Sequence, residues 1–128
     1  MNLSISINRN ADEVYTFISN AENLPQWAAG LCTSIQKTET ENVWRINGGE
    51  ARVRFVEKNK FRVADHYVRA KPGAKEVYIP IRVLDHDGTS EVVFTLFRLP
   101  EMTDDEFKRD MGAVQKDLQT IKEVIERN

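Results

Sequence analysis

The chain has 128 residues, 41% of them hydrophobic and 30% charged, the balance of one folded domain and not of a disordered tail. Eighteen Lys and Arg against twenty Asp and Glu leave a net charge of -2, which excludes a bulk attraction to nucleic acid or to anionic membranes. The single cysteine, Cys32, excludes an internal disulfide, and no apolar run approaches the ~20 residues that span a bilayer. The start "MNLSISINRN" has no basic segment followed by an apolar block, so the expectation is a single cytoplasmic domain over residues 1–128.

In chain order, "NLSISIN" alternates Leu3, Ile5 and Ile7 with Ser4 and Ser6, the period of a half-buried strand. Asn10 then stands where a helix cap belongs, with Glu13 three residues on, and Val14, Phe17 and Ile18 supply the apolar side. A second short helix is predicted from Asn20 to Gly30, anchored by Leu24 and Trp27. From Leu31 to Leu99 the sequence reads as strands separated by turns at Gly48-Gly49, Asn59-Lys60, Pro72-Gly73 and Asp87-Gly88. Such short connections make neighbouring strands antiparallel. Thr103 and Glu106 form a capping box before a long helix, whose stripe is Phe107, Met111, Val114, Leu118, Ile121 and Ile125.

Turn positions assign cross-strand neighbours. Centring the hairpins on the turns above sets Phe55 opposite Ala64, Val53 opposite His66, Trp44 beside Val53, His66 opposite Ile79 and Ile81 opposite Phe94. One face then collects Trp44, Ile46, Val53, Phe55, Ala64, His66, Val68, Val77, Ile79, Ile81, Val83, Phe94 and Leu96, and the other collects Arg52, Arg54, Asp65, Tyr67, Tyr78, Arg82, Val93, Thr95 and Phe97. A one-residue slip would drive Arg52 and Arg54 into the core, so the first face is the inner one. His66 becomes the one titratable side chain on the apolar face. It is read either as a neutral buried histidine satisfied by a neighbour, as the polar anchor of a ligand cavity, or as a proton-transfer group. Asp65 is expected at the surface, paired with Arg54 across the hairpin and with Arg82 diagonal to it.

Other groupings carry less chemistry. "LDHDG" brings together Asp85, His86 and Asp87, but its Asp-Gly pair explains it as a turn and it lacks the alternating oxygen ligands of a calcium loop. Cys32 reads as packing, and Trp27 and Trp44 as core or cavity wall. No metal site and no cofactor are expected, since phosphate-loop, HExxH, CxxC and GxSxG patterns are missing from the sequence.

The order strand, two short helices, antiparallel strands and long helix resembles the START-like (SRPBCC, Bet v 1-like) superfamily. The stretches "ADEVYTFISNAENLPQWAAG" and "MTDDEFKRDMGAVQKDLQTIKEVIE" carry that resemblance, and "EVYIPIRVLDHDGTSEVVFTLFR" is similar to bacterial members labelled polyketide cyclase/dehydrase-like. The resemblance spans essentially the whole chain. It implies an α+β helix-grip fold, a curved antiparallel sheet of six or seven strands wrapped around the long C-terminal helix with two short N-terminal helices. It implies no one function, because the superfamily includes lipid carriers, hormone receptors, cyclases, quinone-binding proteins and chaperone activators.

Three functions are therefore carried forward. The first is binding or carriage of a small hydrophobic molecule (a lipid, an aromatic polyketide-like or a quinone-like compound) in an internal cavity. Trp44, Val53, Phe55, Ile79, Phe94, Met111 and Leu118 would form the walls, with His66 orienting a hydroxyl or carbonyl. The second is a cyclase or dehydratase using His66 as acid and base. The third is a protein-interaction module. Tyr78, Val93, Thr95 and Phe97 make the outer sheet face unusually apolar, which points to a homodimer contact or to docking of a partner.

Overall fold

The structure is a computed structural model that describes residues 1–127. Among these residues it contains eight strands and three α-helices: β1 (Asn2–Ile7), α1 (Ala11–Ile18), α2 (Leu24–Trp27), β2 (Ile35–Lys37), β3 (Val43–Ile46), β4 (Gly49–Phe55), β5 (His66–Arg69), β6 (Val77–Ile79), β7 (Ile81–His86), β8 (Thr89–Thr95) and α3 (Asp104–Arg127). All pairings are antiparallel, and they form two sheets, β1-β8-β7 and β2-β3-β4-β5-β6. The expected six or seven strands are thus eight, and the break between the sheets falls at Pro80, which has no N–H to continue a ladder.

Local chemistry sets the helix boundaries. Asn10 Oδ1 accepts the Glu13 N–H at 2.9 Å and starts α1. The second expected helix is shorter than Asn20–Gly30: a 3₁₀ turn over Ala21–Asn23 is followed by α2, with Pro25 in its first turn. The capping box before α3 forms in both directions, Glu106 N–H to Thr103 Oγ1 at 3.1 Å and Thr103 N–H to Glu106 Oε1 at 3.0 Å. One side of α3 buries Val114, Leu118, Ile121 and Ile125 against β1 and α2. There they join Ile7, Val14, Ile18, Leu24, Val53, Ile81, Val83 and Val92 in one core.

The expected pairings of His66 with Ile79 and of Ile81 with Phe94 are the observed ones, whereas the β3–β4 and β4–β5 registers differ from expectation by two residues. The β3–β4 turn is Asn47-Gly48, both at positive φ, and Gly49 already opens β4, so Trp44 pairs with Ala51. Between β4 and β5 the connection is a ten-residue loop, 56–65, in place of a tight Asn59-Lys60 turn. Asn59 organises it: its Oδ1 accepts the Phe61 and Val63 N–H groups, and its Nδ2 donates to the Glu57 and Val63 carbonyls. The end of this loop leaves β4 for β7, with Ala64 N–H donating to Ile81 O and Val83 N–H to Arg62 O. Phe55 consequently pairs with His66 and Val53 with Val68. A two-residue displacement returns each side chain to the same face, which is why the inner and outer sets survive it.

Asp65 departs from its expected place. It is 5% exposed, and its partner is Arg82 rather than Arg54. Residue 65 ends the loop where the two sheets part, so its carboxylate turns into the break. It accepts the Ile81 N–H at 3.0 Å, the Tyr78 hydroxyl at 2.8 Å, and Arg82 Nε and Nη2 at 3.1 and 2.9 Å. Arg54 lies instead over the Tyr67 ring, 4.3 Å from its centre. Burial alone would raise the Asp65 carboxyl, but the Arg82, Tyr78 and Ile81 bonds outweigh it and hold it below the usual carboxylate range.

Removing this carboxylate strands four donor atoms on three residues, so Asp65→Ala is expected to lower stability by about 2–4 kcal/mol in urea unfolding. Because the folded pKa is depressed, the Asp65 contribution is fully present above the unfolded value of about 4 and is lost as pH falls through the folded value. The wild-type and Asp65→Ala unfolding midpoints should therefore converge at strongly acidic pH.

Candidate functional site

Beyond Pro80 the strand partners separate. Thr95 N–H still donates to Pro80 O at 3.1 Å, but β6 pairs only with β5 and the chain after β8 turns away. The gap between them is a cleft, covered by the first half of α3. Its larger lobe, about 420 Å³, is walled by Val77, Tyr78, Ile79, Phe94, Leu96 and Met102. A second lobe of about 360 Å³ reaches Leu31, Val68, Ala113 and Val114. Val77, Ile79, Leu96, Lys75 and Asp110 line both lobes. The walls are apolar because they are the inner-facing residues of strand ends whose ladder has stopped.

Asp110 brings charge to this lining from the helix side. It sits one helical turn before Val114, on the flank of the stripe that faces the cleft. Among the described residues it has no hydrogen bond or ion pair, whereas Lys75 at the rim approaches Glu101 at 3.9 Å. The arrangement is a largely apolar cleft with two carboxylates, Asp110 from the helix and the exposed Glu76 at the rim, suited to holding a molecule and poor in reactive partners.

The residues singled out from the sequence are distributed around this cleft. Ile79 and Phe94 line it. Met111 and Leu118 lie on the other flank of α3, beside β1. Trp44 is half-buried, its indole N–H donating to Val53 O at 3.2 Å, and borders a shallow notch near Lys37 and Thr38. Val53 is buried in the core, and Phe55 packs partly buried against it.

His66 faces the interior, 2% exposed, and lines neither lobe. Its ring stacks on Phe55, centroids 4.3 Å apart, and its Nδ1 lies 3.0 Å from Ala64 O. That contact makes Nδ1 the protonated, donating nitrogen of a neutral ring. Burial depresses the His66 pKa, outweighing the Ala64 carbonyl and the Asp65 charge, which act in the opposite sense. Its cross-strand neighbour Ile79 reaches the cleft in its place.

Asp110 is a cleft residue that the sequence reasoning did not single out, and Val77 and Leu96, expected on the inner face but not among the ligand walls, join it there. Val77 and Leu96 share the inner-face parity of Ile79 and Phe94, and an acid one turn before Val114 interrupts an apolar stripe; both signals are visible in the sequence. On the outer face Tyr67, Tyr78 and Phe97 stack in a row, with centroid spacings of 5.1 and 6.1 Å. Tyr78 is 40% and Phe97 54% exposed, while Val93 and Thr95 are half-buried and Thr95 donates to Asn2 Oδ1. His86 is exposed at the β7–β8 hairpin, whose turn is Asp87-Gly88 with both residues at positive φ. Cys32 is buried, its thiol pointing to Ser34 O, and burial raises its pKa.

With the cleft and its helix cover in view, the architecture can be set beside solved structures. An uncharacterized protein from Bacillus thuringiensis superposes with a TM-score of 0.72 at 18% identity, covering 98% of this chain and 97% of that one. The Zhui aromatase/cyclase from a Streptomyces species gives 0.67 at 14% identity, covering 99% and 93%. Ara h 8.0201 gives 0.65 at 12% identity, covering 100% and 97%. The fold is the helix-grip fold that these structures share. No family model and no curated protein matches the sequence. No helix among the described residues is long and apolar enough to cross a membrane.

The helix-grip cover carries a second acid. Asp117 is half-buried on α3 between Val114 and Ile121, and among the described residues it has no hydrogen-bond or ion-pair partner. Burial raises its pKa to about 6, with Lys116 opposing weakly. A raised folded value means that the charged form is the unfavourable one, so Asp117 costs stability above pH 6 and the cost vanishes as pH falls toward 4. Asp117→Asn should raise the thermal midpoint at pH 7.5 and leave it nearly unchanged at pH 4, as read by a pair of melting curves.

Proposed function

We propose that the chain binds a small apolar molecule in the cleft between β6, the end of β8 and α3. The observation that supports this reading is the split at Pro80, which leaves Val77, Ile79, Phe94 and Leu96 lining open space where a continuous sheet would have paired them. A ligand burying ~200 Å² of apolar surface there gains ~5 kcal/mol at ~25 cal/mol/Å² before association costs, in keeping with micromolar affinity. Asp110 is the polar contact of this site from the helix side, with Lys75, Glu76 and Tyr78 at its rim. His66 supports the wall from behind through Phe55 and Ile79. The alternative of a cyclase with His66 as acid and base asks that ring to meet substrate, and it faces neither lobe.

Native mass spectrometry of freshly purified protein tests the binding reading, followed by titration with a long-chain alcohol and an aromatic quinone. An apolar adduct, or micromolar binding of either probe, is expected. Leu96→Trp should fill both lobes and weaken binding at least tenfold, with the unfolding midpoint shifted by only a few degrees. Undiminished binding by Leu96→Trp would place the ligand elsewhere, and failure of both probes together with a bare mass would end the reading.

A further inference from the structure

A second surface lies on the opposite flank of α3. β1 stands at the edge of its sheet and pairs with β8 alone. Met1 and Leu96 exchange both main-chain bonds, the Met1 amino group to Leu96 O at 2.9 Å and Leu96 N–H to Met1 O at 2.8 Å. In an antiparallel ladder mutually bonded pairs alternate with unbonded ones. Leu3, Ile5 and Ile7 therefore bond to β8, while Asn2, Ser4 and Ser6 send N–H and C=O outward. Two contacts from α3 verify the phase: Lys122 Nζ donates to Ser6 O at 2.9 Å, and Asn8 N–H donates to Glu126 Oε2 at 2.8 Å.

The last turns of α3 thus close one end of the β1 edge. At the other end, among the described residues, the outward groups of Asn2 and Ser4 have no partner. Beside them runs a groove of about 750 Å³ between β1 and α3. Leu3, Ile5, Met111 and Leu118 give it an apolar lining, and Gly112 leaves the helix wall open, with nothing within 4 Å of an added Cβ. Lys108 is its one charged side chain and forms no ion pair among the described residues.

We propose that this groove binds an extended peptide by strand addition to β1, its apolar side chains entering on alternate residues and a carboxylate meeting Lys108. Two outward donor–acceptor sets two residues apart, about 6.8 Å, match the repeat of a strand. A compact apolar ligand would leave those groups unmatched. Charge complementarity selects an acidic peptide. It also disfavours a second copy pairing through its own β1, because Asn2–Ile7 contains no carboxylate to meet Lys108.

The test uses a set of fluorescently labelled octapeptides with Val, Leu or Phe alternating with Thr and Glu, read by anisotropy, with hydrogen exchange at the Asn2 and Ser4 amides. Glu-bearing members should bind, and exchange at both amides should slow at least tenfold. Ser4→Pro removes only an outward N–H, which an edge strand tolerates, and should weaken binding at least tenfold. Lys108→Glu should reverse the preference for acidic peptides. N-methylation of alternate peptide nitrogens should abolish binding with the protein itself unchanged. The proposal is overturned if no member of the set binds, or if binding survives both Ser4→Pro and N-methylation. It is overturned in favour of self-association if sedimentation shows dimers and the same amides become protected as protein concentration rises.

Discussion

Everything that distinguishes this molecule from a continuous curved sheet depends on one buried carboxylate. Asp65 sits where Pro80 interrupts the ladder, and it accepts from the first N–H beyond the proline, from the Tyr78 hydroxyl before it and from the Arg82 guanidinium beyond it. A sheet interrupted by proline leaves donors without acceptors, and a buried unmatched donor costs ~1–3 kcal/mol. The carboxylate supplies those acceptors and ties the β5–β6 side to the β7–β8 side without restoring pairing. The break is held open and is also held in register.

The cleft follows from that break. Where β6 and the end of β8 no longer share bonds, their inner-facing side chains diverge, and α3 covers the space without filling it. The remaining interior is closed by ordinary packing. His66 illustrates this: stacked on Phe55 and bonded to Ala64, it is a satisfied buried imidazole kept neutral by its surroundings. The adjacent residue in sequence, Asp65, is charged and buried, so the two neighbours show how strongly environment decides protonation.

Helix α3 has different tasks along its two flanks. One flank presents Asp110, Ala113 and Val114 to the cleft, and the other presents Met111, Gln115 and Leu118 to the groove beside β1. Its C-terminal turns bond to the β1 edge through Lys122 and Glu126. The unpartnered Asp117 lies one turn beyond Ala113 and Val114, on the same flank, on a helix that is otherwise well capped.

The fold was largely legible in the sequence because its signals are local. Asn10 and Thr103 cap through neighbours three residues away, Asp87-Gly88 turns by its own backbone preference, and alternation of period two assigns faces. Parity is forgiving: Trp44 and His66 stand two places from their expected partners and still face inward. What local signals could not supply was the pairing of residues 62–64 with β7, seventeen to twenty-one residues onward, in preference to β4. That choice made a surface carboxylate into a buried junction, opened the cleft at Ile79 and Phe94, and left His66 behind the wall. The sequence by itself determined the elements, their order and their inner faces, since each follows from residues within a turn or a hairpin. Only the tertiary structure decided where the sheet parts and which inner residues meet space, because both depend on contacts between segments distant in the chain.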